Sequence, residues 1–247
     1  LKKYIHLIYQ QTQKLFEACL PSLCLLCHLP SKNSLVCEYC HEAILTERSY
    51  CLRCGCGLSH TQPFCGECLQ HHFEFTQLHA VASYQSPFPE LIKQLKYNNH
   101  LLYADLLGQL LANSILQRYN QAQLQEIDYL IPVPLHKKKH RKRGFNQAQL
   151  ISEALSKHLP VEITQTTLTR SKLTNAQEGL TRHQRTLNLK HAFSLTEERK
   201  VELKGKHIVL IDDVVTTGAT INSLCQVLLA ADVKRIDVWC ICRTELQ

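Results

Sequence analysis

The sequence predicts an α/β protein, a parallel sheet flanked by helices on both faces, preceded by a small cysteine-rich region. Three observations carry that expectation. Apolar strands alternate with helical stretches from about His79 onward. Four C-x-x-C pairs crowd into residues 24–68 and then stop. One apolar run leads straight into two carboxylates and a Thr/Gly turn, IVLIDDVVTTGAT, at Ile208–Thr220. Strands followed by crossover helices build parallel sheets, with ligand sites at the carboxyl ends of the strands. The shift in composition divides the chain into residues 1–78 and 79–247.

In chain order, Ala80–Tyr84 reads as a strand. Phe88–Tyr97 has Leu91, Ile92 and Leu95 on one helical face, and Leu101–Tyr119 is a longer amphipathic helix. Tyr129–Pro134 is a short apolar strand ending in prolines. Phe145–Leu159 reads as a helix stopped by Pro160, and Val161–Thr164 as a further strand. Leu168–Lys190 is polar and without clear period. His207–Ile211 is a buried strand, Gly218–Ala231 a helix and Arg235–Cys242 a last strand.

Composition narrows the function classes. Apolar content of 45% excludes wholesale disorder. The longest apolar runs fall far short of the ~20 residues of a membrane span. Polar residues from Gln10 to Glu17 interrupt any secretory signal. The expectation is a soluble, cytoplasmic chain in which 13 cysteines, an odd number, serve metal binding rather than disulfides. The net charge of +7 is local, because Lys137, Lys138, Lys139, Arg141, Lys142 and Arg143 lie within seven residues. Without them the balance is 22 basic against 21 acidic, so one patch carries the attraction for anions.

The pairs Cys24/Cys27, Cys37/Cys40, Cys51/Cys54 and Cys65/Cys68 each let a tight turn aim two sulfurs at one ion. Two turns complete a tetrahedral zinc site. The spacing predicts two structural zinc ribbons, the first holding Cys24, Cys27, Cys37 and Cys40 and the second Cys51, Cys54, Cys65 and Cys68. Swapped pairing between the halves, redox dithiols and disulfides are the alternatives. His28, His41, His60, His71 and His72 could replace a ligand by type but read as surface residues, because the four pairs already fill two sites. Cys19, Cys56, Cys225, Cys240 and Cys242 are unpaired by spacing, the last three reading as small buried side chains. The ribbon region has few large apolar groups, so zinc would supply its folding free energy, with a core separate from that of the α/β region.

In IVLIDDVVTTGAT each part has a physical task. Thr216–Thr220 can offer backbone N–H groups and hydroxyls to a phosphate at a helix start. Asp212 and Asp213 can accept hydrogen bonds from ribose hydroxyls. Two carboxylates beside a phosphate require a cationic centre, hydroxyl donors or Mg²⁺ between them. The segment is neither a G-x-x-x-x-G-K-[ST] loop nor G-x-G-x-x-G. The plain alternative is a strand–turn–helix with Asp and Thr as caps.

This segment resembles the phosphoribosyl-pyrophosphate (PRPP) motif of type I phosphoribosyltransferases. With the cysteine pairs, LIKQLKY at 91–97, LIPVPLH at 130–136, RGFNQAQL at 143–150 and the spaced residues Thr174, Gln177, Leu180, Arg185 and Asn188, the chain is similar to the ComF family of competence proteins. The resemblance implies a phosphoribosyltransferase-like sheet and a role in handling single-stranded DNA on the cytoplasmic side, at or near the inner face of the membrane. It implies PRPP with Mg²⁺ held by Asp212, Asp213, Thr216, Thr217, Gly218, Ala219 and Thr220. Pro134, Leu135 and His136 correspond to the pyrophosphate loop, and residues 170–188 to the loop that covers the site in the transferases. Arg143, Phe145 and Asn146 fall in a family motif without a derivable role, and a competence helicase is a partner by analogy. Family members often carry Pro and Leu within 137–142, where this chain is nearly all Lys, Arg and His.

Three functions follow as expectations. One is DNA handling, with the basic segment on phosphates and Phe145 or Tyr97 stacking on bases, against the plainer readings of core aromatics and a solvated loop. Another is a Mg²⁺-dependent phosphoribosyltransferase with no acceptor or catalytic residue identified. The last is a PRPP-sensing regulator that only binds.

Overall fold

A computed structural model of the chain describes residues 22–31, 34–44, 49–58, 62–70, 72–164, 168–170 and 192–244. The chain divides into two compact units, Leu1–Thr46 and Glu47–Gln247. The dividing point therefore falls between the two cysteine quartets rather than after both.

In the first unit, β1 (Ser22–Leu23) pairs antiparallel with β2 (Pro30–Ser31), and α1 (Glu38–Ile44) follows. The turn between the strands carries the first C-x-x-C and is closed by the Cys24 N–H donating to the Leu29 carbonyl at 2.9 Å. Among its described residues, Cys24 and Val36 are the apolar side chains that are buried.

The second unit opens with a cysteine-bearing segment and a short helix, α2 (Gly66–Gln70). Then come β3 (Gln77–Ser83), α3 (Phe88–Asn98), α4 (Leu102–Arg118), α5 (Gln121–Gln125) and β4 (Tyr129–Pro132). These are followed by α6 (Lys137–Arg143), α7 (Gln147–Ser156), β5 (Glu162–Ile163), β6 (Thr169–Arg170) and β7 (Phe193–Ser194). The chain continues through α8 (Glu197–Leu203), β8 (His207–Val215), α9 (Ala219–Leu229) and β9 (Arg235–Arg243). Five strands form one parallel sheet in the order β3-β9-β8-β4-β5, while β6 and β7 pair antiparallel by themselves.

Strand period sorts the sheet's side chains onto two faces. Leu78, Ile131, Val133, Ile208, Leu210, Ile236, Val238 and Cys240 pack with Ile221, Leu224, Cys225 and Leu228 of α9. Cys51, Cys54, Cys56, Cys68, Phe73 and Phe75 belong to this same core. The opposite face buries Val209, Ile211 and Trp239 under α4 and α7, and the indole N–H donates to the Tyr119 hydroxyl at 3.3 Å. The expectation of a ribbon region with its own core therefore fails for the second quartet. Its cysteines are followed directly by Phe73, Phe75 and Leu78, which are buried with them in the core of the sheet.

Two boundaries shift for local reasons. Asn146 caps α7 by accepting the Ala148 N–H at 3.2 Å, so the helix starts at Gln147 rather than Phe145. Strand β8 outruns its apolar stretch because β9 stays paired with it as far as Val215–Arg243, which places both aspartates within the strand. The basic segment is a helix rather than a solvated loop: the buried ring of His136 accepts the Lys138 N–H at 3.1 Å and caps α6.

Candidate functional site

Strands β4 and β8 lie side by side. From β4 the chain crosses one face through α7 to β5, and from β8 it crosses the other face through α9 to β9. Their carboxyl ends thus form a topological switch point, where open α/β sheets leave a crevice. A cavity of about 470 Å³ occupies it, with Val133, Pro134 and Leu135 on one side and Asp212–Thr216 and Gly218–Ile221 on the other.

The sequence-predicted residues divide within this frame. Pro134, Leu135, Asp212, Asp213, Thr216, Gly218, Ala219 and Thr220 line the cavity together. Thr217 instead turns its hydroxyl to accept the Ala219 N–H at 3.4 Å, at the start of α9. His136 serves as the cap of α6. Gly218 stands at φ +77°, a left-handed conformation that suits glycine, and a Cβ there would come 3.3 Å from the Phe73 ring.

The two aspartates are not equivalent. Asp213 is buried, ion-paired with Lys96 of α3, and accepts a hydrogen bond from Gln147 Nε2 of α7 at 3.2 Å. Burial pushes its carboxyl up, but the Lys96 ammonium and these hydrogen bonds outweigh it and hold Asp213 below the usual carboxylate range. Asp212 takes the other share. Burial and then the charge of Asp213 hold its carboxyl well above that range, and its Oδ1 accepts the Asp213 N–H at 2.9 Å. A carboxyl in that position gains most from an arriving cation or hydroxyl donor.

Cationic side chains come to the two acidic groups from elsewhere in the chain. Lys96, Lys139 and Arg170 all line the cavity. Sequence reasoning missed Lys96 and Gln147. Lys96 sits four residues after buried Ile92, so a charge on the apolar stripe of α3 was the available signal. The RGFNQ motif also acquires a structural role. Arg143 donates to Gln147 Oε1, and Asn146 Nδ2 donates to the Val133 carbonyl at 3.0 Å, tying α7 to the end of β4.

Of the basic run, Lys139 faces the cavity and Arg143 folds back over the Tyr97 ring at 5.5 Å, while Lys137, Lys138, Arg141 and Lys142 are exposed. Tyr97 is exposed rather than a core aromatic, and Phe145 is half-buried. Thr174, Gln177, Leu180, Arg185 and Asn188 lie outside the described residues, as do Cys19, His60 and His71.

The cysteines gather into two quartets, Cys24/Cys27/Cys37/Cys40 and Cys51/Cys54/Cys65/Cys68, with all four sulfurs of each within 4.8 Å of one another. The pairing is unswapped, and no histidine among the described residues is part of either quartet. Cys27–Cys37 and Cys51–Cys68 stand at 3.7 Å and Cys54–Cys65 at 3.5 Å. A tetrahedral ion with Zn–S bonds of about 2.3 Å sets sulfurs about 3.8 Å apart, whereas a disulfide needs about 2.05 Å. The donor set and its spacing therefore suit zinc. Backbone N–H groups already point at the sulfurs, Leu26 to Cys24 at 3.4 Å and Cys65 to Cys51 at 3.3 Å. Burial raises both thiols, yet such bonds outweigh it and bring Cys24 down to about 6 and Cys51 to about 7. Cys225, Cys240 and Cys242 are small buried side chains, as expected, and Cys56 joins them in the core.

No helix among the described residues is long and apolar enough to cross a membrane. A phosphoribosyl transferase domain model matches residues 141–245. A DNA utilization protein YhgH from Shigella flexneri is 37% identical over 226 residues, 91% of this chain and 98% of that one. Competence protein F from Haemophilus influenzae is 33% identical over 213 residues, 86% of this chain and 92% of that one. A purine phosphoribosyltransferase from Pyrococcus horikoshii superposes loosely, at a TM-score of 0.33 and 18% identity over 57% of this chain and 83% of that one. With identity of this order running along almost the whole length of both curated relatives, and a phosphoribosyl transferase domain over β8 and β9, the chain belongs to the ComF family of competence proteins.

Proposed function

We propose that this chain binds PRPP with Mg²⁺ at the ends of β4 and β8 and handles incoming single-stranded DNA on the cytoplasmic side, as the names of its relatives, DNA utilization protein and competence protein, suggest. The observation that carries the reading is the cavity itself. The Thr/Gly turn at the start of α9, one carboxyl awaiting a cation and three lining cations meet at the switch point of the sheet. The Thr216–Thr220 turn takes the 5′-phosphate, and Asp212 takes the ribose hydroxyls. Asp213 acts at one remove, by fixing Lys96 at the cavity wall. One available carboxylate together with diphosphate oxygens is the usual donor set for Mg²⁺, so the residues present fit that ion. Exposed Lys137, Lys138, Arg141 and Lys142, with Lys139 at the cavity, take DNA phosphates. Zinc in both quartets is structural, since four thiolates leave no open position. A competence helicase is the natural partner, and any attachment to the inner face of the membrane is peripheral.

One observation favours a second reading, that of a transferase. Lys96, Lys139 and Arg170 line the same cavity and could stabilise departing pyrophosphate. No residue is assigned as its catalytic group. Titration calorimetry with PRPP and Mg²⁺ tests the binding claim. Asp212→Ala removes charged hydrogen bonds worth about 1.5–3 kcal/mol each, a loss of about ten- to a hundred-fold in affinity. Equal binding by the variant contradicts the placement. Pyrophosphate release with candidate bases separates turnover from binding alone.

A further inference from the structure

Tyr97 stands at the cavity mouth, and the phosphate chemistry does not use it. Its side chain is 69% exposed at the end of α3 and lines the cavity. The ring is nevertheless held in place. The Arg143 guanidinium lies over it, with Cζ 5.5 Å from the centroid. Arg143 in turn donates to Gln147, Gln147 donates to Asp213, and Asp213 pairs with Lys96, the residue next to Tyr97. The circuit closes on α3 and fixes an aromatic surface whose uncovered face meets solvent. Tyr84, 44% exposed at the end of β3, lines the same cavity.

A tyrosine ring held in place, a second at the same cavity and a row of exposed cations match one ligand class. Single-stranded nucleic acid offers unpaired base faces at the spacing of its phosphates, and each stacked base contributes through its π-face whatever its identity. A duplex hides those faces, and a free nucleotide has no use for the exposed cations along α6. We propose that Tyr97, backed by Arg143 and flanked by Tyr84, is a base-stacking platform that seats an unpaired base at the cavity mouth while α6 holds the neighbouring phosphates. The proposal rests on the single-strand reading above and adds to it where the base sits.

Salt dependence separates the two contributions. Phosphate contacts release counterions and set the log–log slope with salt, whereas stacking moves affinity without moving the slope. Binding of a twenty-nucleotide oligothymidine is measured at several salt concentrations for the full chain and its variants. Tyr97→Ala is expected to weaken binding roughly ten-fold or more at every salt concentration with the slope unchanged. Tyr97→Phe stays near wild type, Tyr84→Ala shows a smaller loss, and binding of a duplex of equal length is unaffected by Tyr97→Ala. The change Lys137/Lys138/Lys139/Arg141→Ala instead flattens the slope by up to about 2–3 units. If Tyr97→Ala binds oligothymidine like wild type while the α6 variant loses affinity, the platform is wrong and the α6 reading stands. Equal losses for Tyr97→Ala and Tyr97→Phe also overturn it, because they point to the hydroxyl rather than the ring. If the wild-type chain binds no oligothymidine, the single-strand reading fails and the platform with it.

Discussion

Cys24, Cys27, Cys37 and Cys40 sit in a unit where Val36 is the other buried apolar side chain among the described residues. Cys51, Cys54 and Cys68 lie in one core with Phe73, Phe75, Leu78 and Leu224, beneath the sheet. Both quartets are built from two C-x-x-C pairs, with spacers of 9 and 10 residues, and bring their sulfurs to similar distances. The second is also bolted to the candidate site. Arg243, 2% exposed, donates from Nε to the Cys54 carbonyl and from Nη1 to the Val215 carbonyl, both at 2.9 Å. The Glu74 N–H donates to Asn222 of α9, and Phe73 lies against Gly218. A motif repeated in sequence is thus unequal in energetics. The first quartet organises its own short stretch of chain, while the second is a wall of the core that shapes the cavity.

The largest test of that contrast is thermal. Cys51→Ser removes a ligand and loosens the common core, and loss of a structural metal belongs to the few changes that exceed about 4 kcal/mol. In a unit of this size that lowers the main melting transition by roughly 8–16 °C. Cys27→Ser should release one zinc equivalent and leave that transition in place, and calorimetry with metal analysis reads both. A smaller effect is expected from Arg243→Met, which takes the guanidinium donor from the buried Cys54 carbonyl at about 1–3 kcal/mol, while the Val215 carbonyl keeps the Thr244 N–H at 3.1 Å. Its zinc content should hold while PRPP affinity falls, which would show that the link, rather than the metal alone, supports the site. Smaller again is Gly218→Ala, at about 1–2 kcal/mol for a side chain at positive φ pressing on Phe73. Gly55→Ala makes the matching strain on the quartet's side, where a Cβ would lie 2.5 Å from Leu78 Cδ2.

The weakest effect concerns acid, a common means of stripping zinc. The buried His79 ring accepts from Arg118 at Nδ1 (3.3 Å) and so keeps its proton on Nε2, which donates to Ser114 at 2.8 Å. Burial, helped by the Arg118 charge, lowers its pKa to about 3. The unfolded chain takes up a proton near pH 6.5 and the native ring does not, so this stability is whole above that pH and falls as pH drops towards 3. The loss is about 1 kcal/mol by pH 5.5. His79→Gln should flatten this part of the pH–stability curve in chelated and zinc-loaded protein alike, as followed by urea unfolding. A chelator at neutral pH is therefore the cleaner way to compare the quartets.

Much of this was legible in the sequence, because strand period, helix stripes and C-x-x-C turns are local. All five strands of the parallel sheet and the helices 88–98, 102–118 and 219–229 were expected close to where they lie. Non-local features were not legible. Asp213 looked like the twin of Asp212 until Lys96, more than a hundred residues earlier, was found to be its partner. In the sequence the basic run is assigned no element, with a solvated loop as the plainer alternative, because its cap is a histidine, an uncommon N-cap, and because none of its side chains is buried. The tie between the second quartet and the sheet was equally non-local, because Arg243 at the end of β9 reaches the Cys54 carbonyl 189 residues earlier.

The central claim, that the second quartet helps shape the cavity, is tested most directly by amide hydrogen exchange across residues 214–222 in the full chain, Cys27→Ser and Cys51→Ser. The account predicts wild-type protection in Cys27→Ser and markedly faster exchange in Cys51→Ser, with PRPP binding weakened only in the latter. Equal protection of residues 214–222 in both variants would contradict it.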